Sequence, residues 1–251
     1  MDPANLTPSN DPWLVLGKFT AARIALGRTG VSIPFRENLS FKLAHAFARD
    51  AVYTNLDIDS LIRSAPGLLV PFVLLHSRAT DRAEYLQRPD LGRQLNNESL
   101  LILSQYSGSY DICINMADGL SATAINEHAI PLLSLLIPRF ITGGFSVAPL
   151  CIIEQGRVAI SDETGNALGA KLSLILIGER PGLSTPDSLG VYLTFQPMAG
   201  NTDHQRNCIS NIGPKGLSFE SATEKIYYLV SEALRLQLSG IGLKDLSGLL
   251  K

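Results

Sequence analysis

The stretch D-I-C-I-N-M-A-D-G-L-S, Asp111 to Ser121, decides the fold. Asp111 to Met116 forms an apolar run of strand length, Ala117-Asp118-Gly119-Leu120-Ser121 supplies a turn, and the residues through about Ile137 carry a helix. Downstream the alternation continues. A second strand is expected from about Phe145 to Ile153, a short helix after Asp162, and a third strand over Lys171 to Ile177. That third run is almost continuously apolar, which suits a strand buried on both faces. A fourth strand, Val191 to Phe195, and a long helix, Glu220 to Leu238, complete an α/β domain. Its Rossmann-like sheet is open, mostly parallel and covered by helices.

Upstream of this unit the first hundred residues read as helical. Leu39, Leu43, Ala46, Phe47 and Ala51 recur near the helical period within Asn38 to Val52, a stripe expected to pack. An earlier helix is expected from about Trp13 to Leu26, stopped by Gly27, Gly30 and Pro34. The arginine-rich passage Ser77 to Arg93 reads as a solvated, turn-rich surface. The resulting division is a helical N-terminal region, 1–100, and a Rossmann-like domain, 101–251.

Of the 251 residues, 45% are apolar and 18% charged, enough to bury a sizeable core. The net charge of -2 offers no broad basic surface for DNA or RNA. Nucleic acid is therefore excluded as a partner. The longest apolar stretches, Ala65 to Leu75 and Ala129 to Pro138, are too short to span a bilayer. Met1 to Asp11 has neither the features of a signal peptide nor an amphipathic targeting helix, so a cytoplasmic protein is expected. Cys113, Cys151 and Cys208 are widely spaced, with no C-x-x-C pair, and read as reduced thiols.

In an open parallel sheet, ligands bind beyond the carboxyl ends of the strands. The loops expected there are Ala117 to Ser121, Gly178 to Leu183, and the stretch through Arg206 to Asn211. No G-x-G-x-x-G follows the first strand and no P-loop occurs, so a standard dinucleotide or P-loop site is disfavoured. Gly119-Leu120-Ser121 falls short of a nucleophile elbow because Thr123 stands where the second glycine is needed. His45, His76, His128 and His204 show no metal-binding spacing.

Several strings carry a resemblance: H-A-F-A-R-D-A-V at His45, R-P-D-L-G-R at Arg88, A-D-G-L-S at Ala117 and G-R-V at Gly156. Further ones are L-G-A-K at Leu168, G-E-R-P-G-L at Gly178, P-D-S-L at Pro186 and R-N-C-I-S-N at Arg206. Together they resemble, in order and over roughly Pro12 to Lys244, the ethanolamine ammonia-lyase small subunit. The resemblance implies a partner, a larger barrel subunit, with which the family converts ethanolamine to acetaldehyde and ammonia by radical chemistry initiated from adenosylcobalamin. It assigns no catalytic residue and no metal ligand to the small subunit, and places the family often in an ethanolamine-utilisation microcompartment.

The positions that match the family's cofactor contacts are Val158, Glu179 and Cys208. Cobalamin is a broad macrocycle fringed by neutral amides. Glu179 can accept from those amides, Val158 and Cys208 can give compact apolar contact, and Gly178 and Gly182 permit close backbone approach. Arg180 and Pro181 share that loop, and Arg180 can bind an acceptor or brace the loop. Asp118 and Ser121 form a lower tier, since Asp-Gly suits a turn and Ser121 suits a helix N-cap. Each leading residue has a bland competitor: a Glu179 pair with Arg180, a core Val158, a small buried Cys208 thiol. No D-x-H-x-x-G sequence is present to replace the cofactor's base with a histidine, so the cobalamin is expected base-on. The competing functions are an assembly or solubilising subunit without cofactor contact and a small-molecule nucleotide binder.

Overall fold

The computed structural model describes residues 12–20, 22–68 and 70–247. A 3-10 helix, Pro12–Lys18, precedes α1 (Phe35–Tyr53), α2 (Ile58–Arg63), β1 (Phe72–His76), α3 (Arg82–Gln87) and α4 (Asn97–Ser104). Then follow β2 (Tyr110–Ala117), α5 (Ala122–Thr142), β3 (Leu150–Glu154), α6 (Ile160–Leu168), β4 (Ala170–Gly178), β5 (Leu189–Phe195), β6 (Arg206–Ile212) and α7 (Phe219–Leu236).

The six strands form one sheet in the order β1-β3-β2-β4-β5-β6. The first four are parallel, while β5 runs antiparallel to both β4 and β6. Burial follows the period of two: Ile112, Ile114 and Met116 face α5 and α7, whereas Cys113 and Ala117 face α4 and α6. Two cores result. On the first face Phe140 of α5 stacks on Tyr227 of α7 with ring centroids 6.1 Å apart; truncating so buried an aromatic costs about 3–5 kcal/mol. On the second, the buried Asn115 amide is satisfied by Thr164, Ser173 and the Leu174 carbonyl, so its desolvation is offset.

The connection through α5 carries the chain from β2 to β3 on one side. The connection through α6 returns it across the opposite face to β4 on the other side of β2. The direction of winding therefore reverses at β2. Beyond the carboxyl ends of β2 and β4 the loops diverge and leave a crevice.

Four expectations are corrected. Trp13 to Leu26 is not one helix but a short 3-10 segment followed by irregular chain. The first hundred residues contain a strand, β1, which pairs with β3. Arg206 to Asn211 lies in an edge strand instead of a loop, held by Arg206, whose buried guanidinium meets the Asp162 carboxylate at 2.7 and 2.6 Å. Most of the stripe of α1 does not pack within the chain: Leu39, Leu43 and Phe47 are about half exposed, and of its members only Ala51 is buried.

Candidate functional site

Three loops meet in the crevice. The loop after β2 supplies Asp118 and Gly119, that after β3 supplies Gln155 to Val158, and that after β4 supplies Glu179 to Gly182. Between them lies a cleft of about 430 Å³ whose walls include Leu120, Arg157, Val158, Glu179, Arg180 and Tyr192. A second recess of about 380 Å³ shares Arg157 and Val158 and continues to Arg93, Asn201, Asp203 and Arg206.

The loops are locked by two devices. The first is backbone contact: Gly119 has φ +56°, and a Cβ there would come 2.3 Å from the Gly178 carbonyl oxygen. A Cβ on Gly178 would come 2.0 Å from the Ser121 carbonyl oxygen. Only glycine fits either position. The Leu120 N–H then donates to the Gly178 carbonyl at 3.0 Å.

The second device is Asp118, only 4% exposed. Its carboxylate accepts the N–H groups of Gln155 and Gly156, each at 2.9 Å, with the Arg82 guanidinium 3.5 Å away. Burial pushes its pKa up to about 6, against the opposing pull of Arg82. Arg82 also donates to the carbonyls of Val52 at 2.6 Å and Gly119 at 2.8 Å, tying α1 to the site.

Beneath the cleft the Tyr85 ring carries two guanidiniums, Arg82 and Arg157, with Cζ 4.6 and 4.4 Å from its centroid. Burial raises the Tyr85 phenol to about 12, and its hydroxyl donates to the Gly156 carbonyl at 3.3 Å. The Ser77 to Arg93 passage is therefore not merely solvated surface. Asp81 caps α3 through the Glu84 N–H, and that short helix aims Arg82 and buried Tyr85 into the site.

Val158 and Glu179 are half-buried and line the same cleft, together with Gly178 and exposed Arg180. Glu179 does not pair with Arg180. One carboxylate oxygen, Oε2, accepts from the Ser188 hydroxyl at 2.5 Å and the Asn211 N–H at 3.1 Å. Pro181 and Gly182 are half-buried farther along the loop, and a Cβ on Gly182 would meet nothing closer than Thr185 at 3.5 Å.

Cys208 is exposed on β6, opposite Tyr192 of β5, whose side chain lines the cleft. It is not a buried thiol, yet local packing around its sulfur raises its pKa; the hydrogen bond with Tyr192 opposes this shift and the Glu179 carboxylate adds to it. Ser121 is buried; its hydroxyl donates to the Pro186 carbonyl at 2.9 Å and accepts from the Ala124 N–H, the N-cap role. Asp118 and Ser121 thus hold the loops from below. The residues missed from the sequence are Arg82, Tyr85, Arg157 and Tyr192. Arg157 had a signal, since it precedes Val158 in G-R-V, whereas Tyr85 is recruited across more than thirty residues.

The family described as ethanolamine ammonia-lyase light chain matches residues 10–244. The chain belongs to this family. A protein of Pseudomonas fluorescens named ethanolamine ammonia-lyase small subunit is 51% identical over 243 residues, covering 95% of this chain and 89% of the relative. Proteins of the same name from Pseudomonas putida (KT2440) and Azotobacter vinelandii are 49% and 50% identical, over 98% and 94% of this chain and 91% and 89% of theirs. The resemblance carried by the short strings thus extends along nearly the whole light chain. Among its described residues no helix is long and apolar enough to cross a membrane.

Proposed function

We propose that this light chain is the small subunit of an ethanolamine ammonia-lyase and holds one side of base-on adenosylcobalamin in the cleft at the winding reversal, against a larger barrel subunit. The observation that carries the reading is the convergence of Val158, Glu179 and Tyr192 around one open cleft; Cys208 stands outside its lining, on the neighbouring strand opposite Tyr192. The switch-point position supports the Rossmann-like description.

The residues fit such a ligand. Leu120, Val158 and Tyr192 offer apolar contact to a corrin, and Glu179 Oε1 makes no hydrogen bond or ion pair among the described residues. Two buried donor atoms, Arg82 Nη2 and Arg157 Nε, are without partners beside the cleft. Among the described residues no histidine lines either recess, which supports the base-on state. His204, the nearest in sequence to Cys208, is exposed and hydrogen-bonded with Thr202.

A corrin with its nucleotide tail is larger than this one-sided cleft, so a second surface must cover it. The outward face of α1 supports a partner there. Phe35, Leu39, Leu43 and Phe47 recur every four residues and are 76%, 49%, 56% and 55% exposed. In this reading residues 1–100 carry the partner-contacting face and 101–251 supply most of the cofactor-contacting residues, with Tyr85 added to the cleft from the first region. When bound, the cofactor supplies the radical chemistry that deaminates ethanolamine. The light chain's residues bind it, orient it and shield it, and none acts as an acid, base or nucleophile. The expected compartment is cytoplasmic; the segment Met1 to Asp11, read as lacking a microcompartment-targeting helix, lies outside the described residues.

The hydrogen bonds of Glu179 to Ser188 and Asn211 favour a second reading, an assembly subunit that never touches cobalamin. Co-purification with the large subunit decides. The chain alone should show no ethanolamine turnover, and the complex should turn over only with adenosylcobalamin. Val158→Trp, which fills the cleft, should assemble normally yet lose the corrinoid absorbance that co-elutes with wild type. Undiminished corrinoid binding by this variant would favour the assembly subunit.

A further inference from the structure

Away from the cleft, one buried histidine stands between two carboxylates. His128 of α5 is 5% exposed, and its Nε2 lies 3.1 Å from Asp187 Oδ2 and 4.0 Å from Glu127 Oε2. One ligand-type atom from each of the three residues falls within 4.8 Å of the other two. Among the described residues no arginine or lysine comes within ion-pair distance of either carboxylate. A single imidazole, even protonated, balances only one of the two negative charges, so the cluster is short of positive charge. The ring itself is held by packing. Phe219 lies against it with ring centroids 5.7 Å apart, and Gly213 crosses so near that a Cβ there would come 3.6 Å from Nε2.

In a tetrahedral zinc site, bonds of about 2.0–2.1 Å set neighbouring ligand atoms about 3.3 Å apart. The Nε2 to Oδ2 separation is already within a few tenths of an ångström of that value, and Glu127, whose side chain is 57% exposed, closes the remaining gap by a small rotation. One imidazole with two carboxylates suits zinc or a similar first-row divalent ion better than magnesium or calcium, which take oxygen ligands alone. We propose that Glu127, His128 and Asp187 form a three-ligand site for a zinc-like divalent cation, with water in the fourth position. The ion takes the place of the hydrogen shared by His128 and Asp187. A recess of about 10 Å³ bordered by Asp187 and Gly213 offers room for the water, and Lys215 on its rim is engaged by the Ser184 carbonyl at 3.4 Å. The role is structural: α5 supplies two ligands and the loop after β4 the third, so the ion staples residues 186–188 to the helix. Ser121 already holds the Pro186 carbonyl there, and Ser188 carries the bond to Glu179. No spacing in the chain reveals the site, because Asp187 enters from 59 residues beyond His128.

The test uses the untagged full-length light chain, stripped of metal by a chelator, with zinc and cobalt(II) salts as probes. It needs no corrinoid, so it stands or falls apart from the cobalamin reading. Calorimetric titration with zinc should show one tight equivalent, and cobalt(II) should give the intense visible bands of a tetrahedral site, which zinc displaces. Glu127→Gln, on an exposed side chain, should weaken zinc about tenfold. His128→Gln keeps a donor to Asp187 but loses the imidazole, and should abolish the cobalt bands. If circular dichroism shows that His128→Gln does not fold, Glu127→Gln decides alone. A variant carrying His45→Ala and His204→Ala, both exposed positions, should bind zinc as wild type does. Absence of a zinc equivalent in wild type would overturn the site. Zinc binding undiminished by Glu127→Gln, or lost with His45 and His204, would identify an adventitious ion only and overturn it equally.

Discussion

The Asp118 carboxylate grips the Gly156 N–H at 2.9 Å, so the loop after β2 fixes the loop after β3. Because Gln155 is held by the same carboxylate, the backbone leading to Arg157 and Val158 is set by a group buried below the cleft. The first prediction follows from that burial. The folded-state pKa of Asp118 is raised from 3.8 to about 6, so between those values the folded chain holds a proton that the unfolded chain has released. Stability therefore falls as pH rises from about 4 to about 6, by about 2–3 kcal/mol from this group, and is flat above. Asp118→Asn should abolish that slope. An amide nitrogen cannot accept the second backbone N–H, so the variant should cost about 1–2 kcal/mol near pH 4. Because wild type loses about 2–3 kcal/mol over the same range, that penalty should vanish by pH 7, leaving the variant as stable as wild type or slightly more so. Urea denaturation across this range measures both; a penalty that grows with pH would refute the assignment.

Gly178, the last residue of β4, and Gly182, in the loop that follows, lie four residues apart and should respond oppositely to alanine. At Gly178 the new Cβ meets carbonyl oxygens of Ser121 and Asp118 at 2.0 and 2.6 Å, and backbone must move. A cost of about 3 kcal/mol or more is expected. At Gly182 the contact is an ordinary 3.5 Å, so Gly182→Ala should leave stability unchanged or raise it by up to about 1 kcal/mol. Denaturation midpoints compare the two directly.

Glu179 has two jobs on two oxygens, and a pair of variants separates them. Oε2 ties β4 to Ser188 and Asn211, whereas Oε1 is free for a ligand amide. Glu179→Gln can keep its carbonyl oxygen on the tie and present an NH2 where an acceptor was. It should keep stability and weaken cobalamin by about 1–2 kcal/mol. Glu179→Ala should lose both. Wild-type corrinoid affinity in both variants, with assembly intact, would leave Glu179 a purely structural residue.

The base-on state has a spectroscopic signature. With no histidine lining either recess among the described residues, the cob(II)alamin signal of the complex should show no nitrogen coupling from protein imidazole. Isotopic labelling of histidine should leave the electron paramagnetic resonance spectrum unchanged. A changed superhyperfine pattern would place a protein imidazole on cobalt.

The outward stripe of α1 is expected to be where the large subunit docks. Phe47 is 55% exposed, so Phe47→Asp should alter the stability of the isolated chain by no more than about 0.5 kcal/mol. Assembly should suffer, read as loss of co-elution with the large subunit. Unimpaired assembly of a double variant, Leu43→Asp with Phe47→Asp, would exclude this face.

The sequence by itself determined the strand-loop-helix unit at Asp111 to Ser121, the buried strand β4, the long helix α7 and membership of the light-chain family. Those features are local or spread along the whole chain: an apolar run of strand length, a helical period, and strings in a fixed order. The tertiary structure alone decided that β5 turns antiparallel, because burial at a period of two is the same for either strand direction. It also decided that the α1 stripe faces outward, since periodicity identifies an apolar face but not what covers it. β1 and β6 escaped notice for a related reason. Phe72–His76 is short, and Arg206–Ile212 is polar because it is an edge strand with one side in solvent. The cleft shows the same division. Glycines at 119 and 178 announce a close approach without naming its partner, and only folding sets them against each other. The Arg82–Tyr85–Arg157 stack joins α3 to the loop after β3, and no spacing in the chain records a contact made across that distance.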